Sequence, residues 1–233
     1  MKSWLTKNGY KVIRLLGGRS NVFFVTNGSV NILIDTSPQY RWKKLKKRLL
    51  DQDIDHIDYL ILTHAHFDHA ANALKIREKF NSQVVIHRCE ANYLGDGHNA
   101  RIKGTNALTR MIVNALTLKL LYWLKYHPCK YDILVDSSFD FKTKGVNIQV
   151  IHTPGHTIGS ISIIVDDEIA IVGDTMFGIF WNSVFPPFAE NVKELLNSWG
   201  KLLNTQCHVF IPSHGSANSR KLVEKCYNQK LKK

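Results

Sequence analysis

Thr63-His64-Ala65-His66-Phe67-Asp68-His69 follows directly on the apolar run Tyr59-Leu60-Ile61-Leu62. In extended chain His64 and His66 point to one side, and a helix starting near His69 brings Asp68 and His69 into its first turn. Four imidazole or carboxylate groups thereby converge at one strand end. Such groups suit zinc, manganese or iron, and four of them in six residues exceed what one catalytic metal with an open water position takes up. The spacing implies two metals.

Three later segments share this form, an apolar run entering a tight turn that presents a ligand-type residue: Val150-Ile151-His152-Thr153-Pro154-Gly155-His156, Ile169-Ala170-Ile171-Val172-Gly173-Asp174 and Val209-Phe210-Ile211-Pro212-Ser213-His214. Strand ends along one edge of a layered α/β fold build a site, so His64, His66, Asp68, His69, His156, Asp174 and His214 are the candidate metal ligands.

The surrounding pattern agrees with layers of strand and helix. Apolar runs at Lys11–Leu16, Asn21–Thr26 and Val30–Asp35, separated by Gly17-Gly18 and Asn27-Gly28, read as a meander. A basic helix follows over Arg41–Leu49, then a strand to Thr63, a helix from about His69 to Phe80, a strand at Gln83–His87 and a largely helical stretch through Tyr126. Strands resume at Val146–His152, Ser160–Val165 and Glu168–Gly173, followed by a helix near Val192–Leu203, a strand at Val209–Ile211 and a closing helix. No linker or repeat divides the chain, and residues 1–233 are expected to form one domain.

The motifs H-x-H-x-D-H (His64–His69), T-P-G-H-T-x-G-S (Thr153–Ser160), G-D-T (Gly173–Thr175) and P-S-H-G (Pro212–Gly215) resemble, in order and over nearly the whole chain, the metallo-β-lactamase superfamily in its glyoxalase II-like hydrolase branch. The resemblance implies a four-layer αββα sandwich, two mixed β-sheets with helices on the outer faces and the metals at one edge. By the same resemblance His64, His66 and His156 hold a first metal, Asp68, His69 and His214 a second, and Asp174 bridges them. Two zinc ions per chain are expected, with iron or manganese as alternatives. A pair of cations lowers the pKa of a shared water from 15.7 toward about 7, which suits hydrolysis of an ester, thioester or lactone-type small molecule by a bridging hydroxide. Asp68 is the candidate catalytic proton acceptor. The branches of the superfamily that cleave β-lactams usually carry Cys where Asp174 stands. Lactonases resembling this chain often have Tyr where Phe177 stands, and only 19 residues follow His214, which argues against a glutathione-binding helical domain. Alternatives on the same fold are a nuclease or phosphodiesterase and a mononuclear iron persulfide dioxygenase.

Phe177, Phe180 and Trp181, shortly after Asp174, are candidate substrate-binding rings in an aromatic stretch that continues through Phe185-Pro186-Pro187-Phe188 and reads as a pocket wall or as core under a loop, and Leu108–Leu124, with Met111, Ile112, Ala115, Leu116 and Leu120, is a candidate lid, homodimer interface or core helix. Asp35, at the end of the Ile32-Leu33-Ile34 run, is read as a support of the metal shell or a turn cap, with the turn favoured, His152 is expected to bond the backbone or a neighbouring ligand, and Gly155, Gly159 and Gly173 to permit close backbone approach. The net charge of +12 invites a nucleic-acid partner. Its concentration in Arg41–Arg48 and Arg220–Lys233 reads instead as solvated helix faces, which argues against nucleic acid as a partner. Lys7, Lys11 and Arg14 break any signal-peptide core, and Ala107–Tyr126 carries too many polar residues for a membrane span, so a cytoplasmic location is expected.

Overall fold

The structure is a computed structural model that describes residues 2–113, 115 and 124–232. Strands β1 (Ser3–Leu5), β2 (Lys11–Leu16), β3 (Val22–Thr26), β4 (Asn31–Ile34), β5 (Tyr59–Ile61), β6 (Gln83–His87) and β7 (Ile133–Val135) form one sheet in that order. It is antiparallel through β4 and parallel from β4 to β7. The second sheet runs β13 (Asn218–Ser219), β12 (Val209–Pro212), β11 (Ile169–Gly173), β10 (Ile161–Val165), β9 (Ile148–His152), β8 (Ser138–Asp140), with β11 and β12 its parallel pair.

Period-two alternation sorts the strands' side chains into separate cores. Phe23, Val25, Ile32, Ile34, Ile61 and Val85 meet Ile148, Val150, Ile161, Ile163, Ile169 and Ile171 between the sheets. Their neighbours Val22, Phe24, Leu33, Leu60 and Val84 face outward onto Leu45 and Leu49 of α1 (Trp42–Leu50) and Ile76 and Phe80 of α3 (Ala73–Phe80). Across the molecule Ala170 and Val172 pack on Leu195, Trp199 and Leu202 of α5 (Val192–Leu203) and Val223 of α6 (Arg220–Leu231). The result is the expected four-layer sandwich.

Several elements differ from expectation. The helix anticipated over His69–Phe80 is two: α2 (Phe67–Ala70) and α3. They part at Asn72, whose side-chain amide donates to the carbonyls of Thr36, Ser37 and Pro38. The helical stretch expected to Tyr126 is interrupted after α4 (Ala91–Asp96) by Gly97 in the left-handed region (φ 68°), and among the described residues helical backbone returns at 107–113 and 115. A Cβ on Gly97 would meet the Tyr126 carbonyl oxygen at 2.1 Å, so only glycine permits that closure. Leu116 and Leu120 of the candidate lid lie outside the described residues. Strands β1, β7, β8 and β13 span two or three residues each, too few to show an alternation. Lys43, Lys44 and Lys46 on α1 and Lys221 and Lys225 on α6 are exposed, as the solvated-face reading expects. Among the described residues no helix is long and apolar enough to cross a membrane.

Trp199 ties an outer layer to the ligand edge. Fully buried, it donates from Nε1 to the carbonyl of Thr175, the residue after Asp174, at 2.7 Å. Trp199→Phe keeps most of the ring but strands that carbonyl, and is expected to lower unfolding free energy by about 1–3 kcal/mol in urea titration.

Candidate metal centre

Parallel strands end at the same edge, and the antiparallel relay β9–β10–β11 returns β9 to the direction of β11. The turns after β5, β9, β11 and β12 therefore open on one place. The backbone N–H of Ile161 donates to the Thr63 carbonyl between the sheets, and Ser213 N–H to the Gly173 carbonyl within the second sheet. Gly155 and Gly173 allow the close approach predicted for them. Gly155 (φ 129°) abuts the backbone of Leu195, and Gly173 (φ 54°) abuts Thr63.

All seven predicted ligands meet there. His64 Nε2 is 2.9 Å from His66 Nδ1, which is 3.2 Å from His156 Nε2. His69 Nε2 stands 3.7 Å from Asp68 Oδ1, and His214 Nε2 stands 3.6 Å from Asp68 Oδ2. Asp174 lies between these trios: Oδ1 is 3.6 Å from His69 Nε2, and Oδ2 is 3.6 Å from His156 Nε2 and 3.2 Å from His214 Nε2. The groups His64–His66–His156, His64–His69–Asp174 and Asp68–His69–His214 each have donor atoms within 4.8 Å of one another.

These donors fit divalent cations. Bonds of about 2.0–2.1 Å to zinc put tetrahedral ligand atoms about 3.3 Å apart, the range found here. His69 Nε2 and Asp174 Oδ1 are buried without a hydrogen-bond partner, a costly state for polar atoms unless a cation takes up their lone pairs.

The two trios differ electrostatically. Burial, reinforced by the other histidines, holds His64 and His66 well below the ordinary histidine range, and burial also lowers His156. Burial opposes charge on His69 too, but Asp174, Asp35 and Asp68 outweigh it and raise its pKa to about 10. His214 is raised against its own burial by Asp174. Asp174 is held well below the carboxylate range: burial would raise it, but His214 and His69 prevail. Burial thus favours the neutral form of the all-histidine trio, while the carboxylates around His69 favour positive charge at the other.

Two carboxylates outside the predicted set position the ligands. Asp35 does sit in a turn (φ 60°), as expected, yet its fully buried side chain does more than cap it. It accepts from Thr63 N and Oγ1, from His69 Nδ1 at 2.8 Å and from Ser213 Oγ, holding three ligand segments. An apolar run ending in Asp, the pattern already recognised at Asp174, was the signal available. Glu90 accepts from Ala65 N–H at 2.9 Å and Gly159 N–H at 3.1 Å, bridging the loops of His64–His66 and His156. A Cβ on Gly159 would lie 2.5 Å from Glu90 Cγ. No local pattern marks Glu90. His152 bonds the Ile158 carbonyl and stacks on His87, outside the ligand cluster.

A cavity of about 520 Å³ opens onto the cluster, walled by Phe67, Ile102, Ile112, Val113, Leu124, Phe177, Ile179, Pro187 and Phe188, with Arg19 also lining it. Phe177 stacks on His214 at 4.8 Å. Phe180 and Trp181 do not line the cavity, contrary to expectation. A bridge between Phe180 and Ser183, turned through Asn182 (φ 57°), leaves them 46% and 92% exposed.

The profile described as "Metallo-beta-lactamase superfamily" matches residues 15–214. A probable metallo-hydrolase of Methanocaldococcus jannaschii is 34% identical over 173 residues, covering 74% of this chain and 72% of the relative. An atrochrysone carboxyl ACP thioesterase of Aspergillus fumigatus is 24% identical over 216 residues, covering 88% of this chain but 56% of that protein. In fold, the crystal structure of an archaeal metallo-β-lactamase superfamily protein from Sulfolobus tokodaii aligns with TM-score 0.62 and 21% identity, covering 91% of this chain and 80% of the other.

Glu90→Gln puts an amide N–H₂ against one of two backbone donors. It is expected to weaken metal binding about 10–100-fold in chelator competition while far-UV circular dichroism is retained; unaltered affinity would show that the bridge does not position the ligands. Saturating zinc at pH 7 is expected to release protons to a pH indicator, because a His69 pKa of about 10 leaves that ring protonated beforehand. Binding without proton release would contradict that charge state.

Proposed function

We propose, from the premise that the chain belongs to the metallo-beta-lactamase superfamily and is a metal-dependent hydrolase, that it holds two metal ions, zinc in the first instance, and cleaves an ester, thioester or lactone-type small molecule. The observation that carries the reading is Asp174, whose two oxygens reach toward His156 on one side and His69 and His214 on the other, the disposition a bridging ligand needs. His64, His66 and His156 are the proposed ligands of one ion, Asp68, His69 and His214 those of the other.

When bound, such a pair supplies an activated water and a Lewis acid for a substrate carbonyl. The chain's own residues do the rest. Asp35 accepts from His69 Nδ1, which leaves Nε2 as the ligand atom, and the Phe188 carbonyl bonds His156 Nδ1, leaving its Nε2 likewise. Asp68 lines the cavity with its side chain 11% exposed, where its carboxylate can take the proton given up as water attacks and return it to the leaving group. The apolar wall receives the acyl part and excludes water from it.

A small substrate is favoured over a polyanion by the charge distribution. Among the described lining residues only Arg19 is lysine or arginine, and the exposed lysines named above belong to the outer helices. The thioesterase name of the fungal relative supports an acyl thioester in particular.

Asp174→Ala is expected to reduce bound metal below two per chain in elemental analysis and to lower kcat/KM on thioester substrates at least about a hundredfold. Asp68→Asn keeps a ligand oxygen but accepts no proton, and is expected to lower kcat by about a hundredfold or more; full turnover with both metals retained would overturn the proton-acceptor role.

A further inference from the structure

The cavity described above combines an apolar wall with a single guanidinium. Arg19 belongs to the loop between β2 and β3, which is fastened to the ligand segments by the two residues that follow Arg19. Ser20 Oγ donates to the Asp68 carbonyl at 2.6 Å, and Asn21 N–H donates to the Ser213 carbonyl at 2.6 Å. The loop therefore carries Arg19 at a set distance from the ligands rather than trailing it in solvent. Its guanidinium lies 5.6 Å from the Phe67 ring centroid, and Nε is 3.9 Å from Asp68 Oδ2. The second distance is an ion-pair contact beyond hydrogen-bond reach.

An arginine carries five N–H donors in a planar fork. Among the described residues those of Arg19 make no hydrogen bond, and the side chain is 57% exposed. The other lining groups are the proposed ligands and the apolar wall. A donor fork restrained on an aromatic ring, beside the place where a scissile carbonyl would sit, matches a carboxylate or phosphate in shape and charge.

We propose that Arg19 is a specificity-determining residue, and that the substrate is an acyl ester or thioester bearing an anionic group close to the scissile bond. The apolar acyl chain lies along Ile102, Ile112, Phe177 and Phe188, and the anion is received by Arg19 at the rim. This rests on the hydrolase reading above, which leaves the charge of the substrate open.

The test uses the full chain loaded with zinc, as wild type, Arg19→Gln and Arg19→Lys, with metal content checked in each. Three thioesters of one medium-length acyl chain are compared: one of a neutral thiol, one of a carboxylate-bearing thiol and one of a phosphate-bearing thiol. Wild type is expected to prefer one or both anionic thioesters over the neutral one by about tenfold or more in kcat/KM. Which anion is preferred distinguishes the two chemistries. In Arg19→Gln that ratio falls to near unity through KM, and Arg19→Lys restores it in part, since an ammonium keeps the charge but not the fork. An anionic preference that survives Arg19→Gln, or its absence in wild type, overturns the proposal. Binding of the matching non-hydrolysable thioethers, followed by calorimetry, reads the same ratio without turnover. If none of the thioesters is hydrolysed but anionic thioethers bind wild type more tightly than Arg19→Gln, the hydrolase reading fails and the anion site stands. If thioesters are hydrolysed without charge preference, the reverse holds.

Discussion

The metal centre depends on one buried carboxylate that is not among its proposed ligands. Asp35 follows β4 in the left-handed region, and its oxygens bond Thr63, His69 and Ser213. Thr63 precedes His64, Ser213 precedes His214, and His69 is bonded directly, so one side chain fixes the orientation of groups on three separate segments. A buried carboxylate tolerates this position only because every bond it needs is supplied. Loss of any donor would leave charge unpaired at the boundary of both sheets, and stability and ligand geometry are for that reason a single property here.

The sandwich makes such a hub possible. The inter-sheet core, almost entirely Val, Ile and Phe, holds two mixed sheets at a spacing set by interdigitating side chains. Parallel neighbours within each sheet then deliver turns to one edge. Close backbone approach at Gly155 and Gly173 and the Glu90 bridge to Gly159 remove the remaining slack between the halves. Glu90 and Asp35 both hold the segment that follows β5 and tie it to different partners. Glu90 ties the His64–His66 turn to the His156 turn, and Asp35 ties the His69 helix to the His214 turn.

What the sequence made legible follows from the range of the interactions involved. The ligand segment His64–His69 could be read because its chemistry is local: alternation on a strand and the first turn of a helix put four donors together within a few residues. Strands of four residues or more, and β5 with its apolar flanks, showed as apolar runs, whereas β7 and β8 were too short to show one. Glu90 was missed as a ligand support, and Asp35, legible as either ligand support or turn cap, was assigned to the turn, because both roles consist of contacts across the fold, to residues far away in the chain. Phe180 and Trp181 show the converse error. Proximity in sequence to Asp174 suggested a cavity wall, but the tight turn at Asn182 takes those two residues into a reversal, while Pro187 and Phe188 of the same aromatic stretch do line the cavity.

The asymmetry between the two trios follows from the same architecture. His64, His66 and His156 pack against one another with Asp174 as their nearest carboxylate partner, and burial keeps them neutral. His69 stands among Asp35, Asp68 and Asp174, and in the absence of a cation that negative surround is met by a proton. In the proposed two-metal site a divalent ion at the second trio would replace charge that the surrounding carboxylates already favour, while one at the first trio would introduce charge among rings that burial keeps neutral. A cation at the first trio would meet the field of Asp174, and one at the second the fields of Asp174, Asp35 and Asp68 together. Among the described residues Asp174 is the carboxylate that reaches toward both trios, so in the proposed site a cation held by either trio would alter the field at the other.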